Sequence, residues 1–427
     1  MTQIPKTVMI GLDGVPFGMI KDFAEKGVMP NTADLISRGI FKKMSSSIPE
    51  VSSVAWSSII TGQNPGRHGI FGFMDLFDHS YKMKFPNFND LKAEPFWCRW
   101  EGKSVIINVP STYPVREMNG VHISGFVSID IRKSVHPGLL IPKLEELDYR
   151  LDVDSQKAHE DLGLFMEDLD QTLSSRIKAY RYLWDYIDWR FFMLTFTGTD
   201  RLMHFLWSAY EDENHQYHDS FLDHFRKIDG VIGEIVGNIG DDDLLVMLSD
   251  HGFERLDYDV YISYLLAQKG FLRLKQGGAV SLENISDGTK AFALDPARIY
   301  LNLKGKFPCG AVDGSERESL LCRLENLFNS LEIDGRKVIR DIYRKERLYS
   351  GPYLENAPDL VLVGAEGFNL KARVKADRLM DKAVFSGKHT QDSAFLLVKG
   401  IADMSIVPEM PAVWDVKDIV EQSIGPA

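Results

Sequence analysis

Three apolar runs in this 427-residue chain end in side chains that can bind a metal ion or move a proton. "TVMIGLDG" (7–14) delivers Asp13, "FFMLTFTGTDRLMH" (191–204) delivers Asp200 and His204, and "LLVMLSDHG" (244–252) delivers Asp250 and His251. A fourth segment, "SGKHTQD" (386–392), adds His389 in a polar loop just before another apolar run. Asp200 and His204 are four apart, so on a helix they share a face and could reach one ion. Asp250 and His251 are adjacent, and at a turn after a strand both could enter a site, with Gly252 permitting a sharp bend. Taken singly, each has an ordinary explanation. An Asp at a strand end caps a turn, D-x-x-x-H arises by coincidence, and a His in a polar loop is solvated. Together they fall where an α/β sheet places its ligands, beyond the carboxyl ends of the strands.

Mixed carboxylate and imidazole donors suit Zn²⁺ or Mn²⁺ better than Mg²⁺ or Ca²⁺, which prefer oxygen shells. Six such donors are enough for two ions, so two divalent cations are expected, Zn²⁺ first and Mn²⁺ as the alternative. The ions would also supply positive charge that the chain lacks. The formal net charge is −12, which argues against a nucleic-acid polymer as partner, because backbone binding needs a basic face. Bound cations give an acidic protein a positive field for an anionic substrate. Two metals can clamp the attacking and leaving oxygens of an in-line phosphoryl displacement. The partner this chemistry implies is a small-molecule phosphoester.

A nucleophile is sought in "VSSVAWSSIITGQNPGRHGI" (51–70). It reads as a helix with Ser52 or Ser53 as N-cap and Ala55, Trp56, Ile59 and Ile60 facing inward. Capping alone would account for the serines. The functional alternative is that a hydroxyl here attacks phosphorus, aided by the helix N-terminus and by a metal that lowers its pKa. Ser57 and Ser58 read as small packing residues or backbone bonders. Arg67 and His68 sit in a turn shaped by Pro65, Gly66 and Gly69. The aromatic segments "EPFWCRW" (94–100) and "HFLWSAY" (204–210) read as core, or as the wall of a pocket.

The elements that must position these groups alternate. Strand-like runs at 7–12, 103–110, 121–126, 189–196, 242–248 and 393–400 are interleaved with helical patterns at 29–39 and 161–187. That pattern predicts an α/β fold with a largely parallel sheet covered on both faces. The whole chain, 1–427, reads as one catalytic domain, with 258–385 as a cap or insertion within it. Cys98, Cys309 and Cys322 are far apart and odd in number, so no disulfide framework is expected. No segment approaches the ~20 apolar residues of a membrane span, and no cleavable signal is visible. The expectation is a soluble cytoplasmic protein without a membrane partner.

The order "LDG … VSSVAWSSIITGQNPGRHGI … TGTDRLMH … SDHGF … GKH" resembles the type I phosphodiesterase/nucleotide pyrophosphatase family of the alkaline phosphatase superfamily. It is most similar to a prokaryotic branch described as phosphohydrolases or phosphomutases. "NVPSTYP" (108–114), "IYLNLKGKFP" (299–308) and "LYSGPYLENAPDLVL" (348–362) also resemble that branch. The resemblance implies an alkaline-phosphatase-like fold and a nucleophile ten residues before Gly62, which is Ser52. Many relatives carry Thr there. It implies one metal site of Asp13, Ser52, Asp250 and His251, and another of Asp200, His204 and His389. It further implies a phosphoenzyme released by a metal-activated water. One position departs from the pattern. Relatives that cleave nucleotides carry an Asn 21 residues after the nucleophile, and this chain has Phe73. The Ser53 backbone N–H or a basic residue of the cap would have to replace that contact. The resemblance favours a phosphodiesterase. A phosphomonoesterase or phosphomutase is the alternative within the superfamily, and a non-catalytic scaffold that kept the fold is the alternative outside it.

Overall fold

The computed structural model describes residues 5–275, 281–382, 384–401 and 403–423. The chain divides into two compact units. The first comprises Met1–Gln63, Asn87–Phe253 and His389–Ala427, and the second Asn64–Pro86 and Glu254–Lys388. Among the described residues no helix is long and apolar enough to cross a membrane. Cys98, Cys309 and Cys322 are all free thiols.

The first unit is built on an eight-stranded sheet. Its strands are β1 (Thr7–Leu12), β2 (Ile40–Met44), β3 (Lys103–Val109), β4 (Gly120–Ser124), β5 (Val135–His136), β6 (Trp189–Phe196), β7 (Leu244–Leu248) and β8 (Ala394–Lys399). They lie in the order β2-β8-β7-β1-β6-β3-β4-β5. β7, β1, β6, β3 and β4 are mutually parallel. The flanking strands β2, β8 and β5 run antiparallel to their neighbours. β1, at the centre, is buried along its whole length, as are all five residues of β7. Strands covered on both faces need apolar side chains on both, which is why these segments read as continuous apolar runs and not as alternating ones.

Registry sets the position of the chemistry. Leu12 of β1 lies opposite Phe196 of β6, and Gly11 lies opposite Leu248 of β7. The three central strands therefore end level, and the residues that follow them emerge at one edge. Helices of the first unit include Pro30–Arg38, Ser52–Thr61, Leu162–Tyr186, Gly198–Glu211 and His218–Gly237. Asp161 caps the long helix by accepting from the amides of Gly163 and Leu164. The helix Pro30–Arg38 has no local cap. Buried Asp229 replaces it, accepting from the backbone N–H groups of Asn31 and Thr32 at 2.9 Å each.

The second unit holds an antiparallel sheet of Ala291–Leu294, Arg298–Leu301, Leu360–Gly364 and Ile339–Arg344 in that spatial order. The helix Arg317–Asn329 contributes Leu321, Leu324 and Phe328 to its core. The sequence reading confined the inserted region to 258–385. This compact unit also contains Asn64–Pro86, where the Tyr81 hydroxyl donates to Asn302 Oδ1 at 2.7 Å and its ring stacks on Phe307. Arg298, wholly buried, donates to the carbonyls of Met74 and Asp295. Tyr349 and Tyr353 lie in the connection between the antiparallel strands Ile339–Arg344 and Leu360–Gly364.

Candidate active site

Every residue singled out for chemistry lies in the first unit, and the structure brings all seven together. Asp13 follows β1 directly, its N–H donating to the Phe196 carbonyl at 3.1 Å. Gly14, at φ 75°, turns the chain away, and its N–H donates to Asp250 Oδ1 at 3.0 Å. That φ lies in the left-handed region, and a Cβ at Gly14 would sit 2.7 Å from the Phe253 ring, so glycine is required on both counts. Asp200 and His204 share a face of the helix Gly198–Glu211, with His204 Nε2 at 3.6 Å from Asp200 Oδ1. Asp250 and His251 form the turn after β7 and are fully buried. His389 was expected in a polar loop, but it belongs to the short strand Gly387–Thr390. Its Nε2 is 3.0 Å from both Asp200 Oδ1 and His204 Nε2.

The serine expected as a helix cap is not one. The helix Ser52–Thr61 is entered from Val51, with no side-chain cap, and Ser52 is its first residue. A side chain there could bond amides ahead of it, but the Ser52 hydroxyl faces the site instead. It stands 3.2 Å from His251 Nε2 and 3.4 Å from Asp13 Oδ1. Both Ser52 and Ser53 are buried, and the Ser53 hydroxyl has no hydrogen-bond partner among the described residues. Ser57 bonds back to the Ser53 carbonyl at 2.6 Å, as an intrahelical serine does. Gly62, at φ 64°, closes the helix in the left-handed conformation. All ten helix residues are buried, Ala55, Trp56, Ile59 and Ile60 among them.

Trp56 does more than fill space. Its Nε1 donates to Asp13 Oδ2 at 3.2 Å, which fixes the carboxylate from the side away from Ser52. Trp56→Phe removes a hydrogen bond to a buried carboxylate and part of a fully buried ring. The expected loss of stability is about 2–4 kcal/mol. Urea unfolding of the two proteins measures it, and a loss below about 1 kcal/mol would show that the indole does not support Asp13.

The aromatic segments are core. Phe96 and Trp97 are buried, with Phe96 packed edge-on against Phe191 of β6. Trp207 is buried and stacks on Phe253. Arg67, His68 and Phe73 lie in the second unit. His68 is fully buried on the short helix Pro65–His68, and burial pushes its pKa down to about 3, so it is neutral.

The electrostatics of the cluster are those of a site short of positive charge. Burial, then Asp250 and Asp200, push the Asp13 carboxyl well above the usual range. Burial pushes Asp250 up to about 7. Burial also acts on Asp200, but His204 and His389 outweigh it and hold that carboxyl below its ordinary value. Burial lowers His251 and keeps it neutral, with His389 adding to the effect. Burial opposes protonation of His389 too, yet its hydrogen bond to Asp200 wins and raises it. Among the described residues Asp250 Oδ2 has no hydrogen-bond partner, and the neutral His251 Nε2 lies 3.3 Å from it. Two buried imidazole nitrogens also face each other at 3.0 Å across His204 and His389. Donors aimed at one another without protons enough to satisfy them are what a cation relieves.

Two donor groups are close enough to hold an ion. Asp13, Asp250 and His251 form one, and Asp200, His251 and His389 the other, with donor atoms in each within 4.8 Å of one another. The outer nitrogens are anchored. His251 Nδ1 lies 3.2 Å from the Gly252 carbonyl, and His389 Nδ1 lies 2.9 Å from the Glu50 carbonyl. Such bonds fix the tautomer that leaves Nε2 free to bind metal. One neighbour was missed by the sequence reading. Arg201, between Asp200 and His204 in sequence, places Nη1 at 3.2 Å from Asp200 Oδ2. A lone arginine beside a ligand carries no spacing signal that would mark it out.

Comparison with known proteins places this geometry. The profile of the family "Type I phosphodiesterase / nucleotide pyrophosphatase" matches residues 7–392. Comparison with curated proteins gives no match. Among solved structures, phosphonoacetate hydrolase from Sinorhizobium meliloti 1021 is similar at a TM-score of 0.65 and 15% identity, over 99% of this chain and 97% of that one. Murine ectonucleotide pyrophosphatase / phosphodiesterase 5 is similar at a TM-score of 0.59 and 12% identity, over 99% and 96%. At these identities the neighbours show the fold, which is alkaline-phosphatase-like. The family match spans nearly the whole chain, including every residue of the cluster. This chain belongs to the type I phosphodiesterase/nucleotide pyrophosphatase family of the alkaline phosphatase superfamily, a family of metal-dependent hydrolases of phosphoester bonds.

Proposed function

We propose that this protein is a phosphodiesterase acting on a small-molecule phosphodiester, with Ser52 as nucleophile. The observation that carries the reading is the Ser52 hydroxyl. It is buried at a helix N-terminus, unused as a cap, and directed at His251 and Asp13. Ser52 Oγ forms the new bond to phosphorus as the bond to the leaving alkoxide breaks. The hydroxyl proton passes to the surrounding carboxylates or solvent. Water then attacks phosphorus, the bond to Ser52 Oγ breaks, the phosphomonoester leaves, and a proton from the water returns to Ser52 Oγ. The helix N-terminus opposes negative charge with its unpaired N–H groups.

Asp13, Ser52, Asp250 and His251 would hold one divalent ion, and Asp200, His204 and His389 a second. His251 is also within reach of the second group. Zn²⁺, or Mn²⁺ in its place, would lower the pKa of the serine hydroxyl and offset the charge of the substrate. The structural neighbours were solved with phosphonoformate, phosphonoacetate or AMP, and small phosphorus oxyanions of that kind support a small-molecule substrate here.

The test is cleavage of bis-p-nitrophenyl phosphate and p-nitrophenyl phosphate in parallel with Zn²⁺ or Mn²⁺. Diester cleavage at least about tenfold faster, in kcat/KM, is the expected result. Faster monoester cleavage would replace the diesterase reading with a phosphatase or mutase.

A further inference from the structure

We propose that Arg201 is a positioning residue. It clamps Asp200 against Asp152 so that only one oxygen of Asp200 is offered to the second metal group. The inference rests on the metal-dependent reading above and concerns how this chain builds that half of the site.

The Nη groups of Arg201 are spent on carboxylates of the protein, while its buried Nε has no hydrogen-bond partner among the described residues. Nη1 lies 3.2 Å from Asp200 Oδ2, and Nη2 lies 3.2 Å from Asp152 Oδ2. The plane is backed by Phe126, whose ring centroid is 4.0 Å from Cζ. The Arg201 side chain is only 16% exposed and that of Asp152 only 18%. A planar fork held on two edges and one face has little freedom, and a stacked guanidinium in low dielectric binds carboxylates strongly.

The consequence falls on Asp200. Its Oδ2 is taken by Arg201, while its Oδ1 faces His389 at 3.0 Å, His204 at 3.6 Å and His251 at 4.0 Å. The two oxygens thus have separate tasks. Without the clamp, the carboxylate could rotate about χ2, which is a soft torsion. It could then present either oxygen, or both, to the imidazoles. Asp152 and Phe126 come from separate loops, and both converge on Arg201. Asp152 Oδ1 is buried without a hydrogen-bond partner among the described residues. That is a cost a merely decorative surface pair would not carry. Outer partners of this kind typically govern metal affinity by about 10–100-fold. A substrate arginine would instead keep its Nη groups free for phosphate.

The test is calorimetric titration of chelator-stripped protein with Mn²⁺, for wild type, Arg201→Met, Arg201→Lys and Asp152→Asn. Wild type is expected to take up two equivalents. In Arg201→Met one equivalent should weaken by about 10–100-fold while the other is unchanged. Lys keeps the charge but cannot span both carboxylates, so Arg201→Lys should weaken the same equivalent and not restore it. Asp152→Asn, which frees the far end of the clamp, should weaken it in the same direction, and it remains informative if Arg201→Met does not fold. Circular dichroism checks that the variants are folded. Two unchanged equivalents in every folded variant would overturn the positioning role and leave the hydrolase reading intact. Full recovery in Arg201→Lys would also overturn it, because charge alone would then suffice. Failure of wild type to bind any metal would overturn the metal-dependent reading itself.

Discussion

Ser52→Ala is expected to lower kcat for diester cleavage by about 10⁴-fold or more, with little change in the folded state. The magnitude is that of removing a nucleophile that acts as a unit with the groups activating it. The hydroxyl contributes no cap to its helix, so its loss removes chemistry and not a structural bond. The two polar contacts it makes, to Asp13 and His251, are at 3.4 and 3.2 Å, long enough that folding stability should shift by less than about 1 kcal/mol. Ser57→Ala is the matched control. Ser57 lies on the same helix, its hydroxyl bonds the Ser53 carbonyl behind it, and alanine is the better helix former. Its activity should stay within a few-fold of wild type. Steady-state kinetics of the three proteins, with thermal melts alongside, decide the matter. A Ser52→Ala enzyme within tenfold of wild type would show that water, not Ser52, attacks phosphorus.

Much of this site was legible because its geometry follows from strand ends. Asp13, Asp200 and Asp250 each lie one to four residues beyond an apolar run, and parallel strands in register bring such ends to one edge. The helical spacing of Asp200 and His204 likewise carries over to structure. What the sequence hid depends on long-range pairing. Nothing local tells that β8 and β5 run against the central strands, with β2 antiparallel to β8, since an apolar strand reads the same in either sense. His389 is legible as a candidate ligand, but polar neighbours hide its strand, Gly387–Thr390, and its ring lies against that of His251, centroids 3.7 Å apart. Asn64–Pro86 joins a compact unit whose other residues begin at Glu254, and composition does not reveal such a partnership. At Ser52 the local pattern leaves a cap and a nucleophile both open, because serine commonly caps helices, and the groups its hydroxyl faces, Asp13 and His251, are 39 and 199 residues away.

Metal removal is expected to change how stability depends on pH, and to abolish activity. Burial raises Asp250 to about 7 and raises Asp13 as well. In the metal-free folded protein these carboxyls hold protons that the unfolded chain releases near pH 4. At these two carboxyls the folded state then binds more protons than the unfolded state, so their contribution to metal-free stability falls as pH climbs from about 4 to about 7. The raised His389 acts in the same direction, since its proton is also lost as pH rises. His251, held neutral by burial, contributes in the opposite sense, as do buried His68, His122 and His224 outside the cluster: each costs stability as pH falls below about 6.5, so the signal of the site is read as the difference between stripped and reloaded protein. A divalent ion takes the place of those protons. Its ligands must be deprotonated, so binding strengthens with pH. At pH 8, Mn²⁺ or Zn²⁺ at about a thousandfold excess over Kd should add roughly 4 kcal/mol. In a chain of this size that is a Tm gain of roughly 4–5 °C. At pH 5 the gain should vanish. Activity should be lost on chelation, return on adding either ion at neutral to alkaline pH, and be absent near pH 5. Thermal melts of stripped and reloaded protein across pH 5 to 8 supply the measurement. An equal gain at both ends would mean the ion does not displace protons from Asp13 and Asp250. No gain at either end would mean the buried carboxylates and imidazoles are balanced by protons alone.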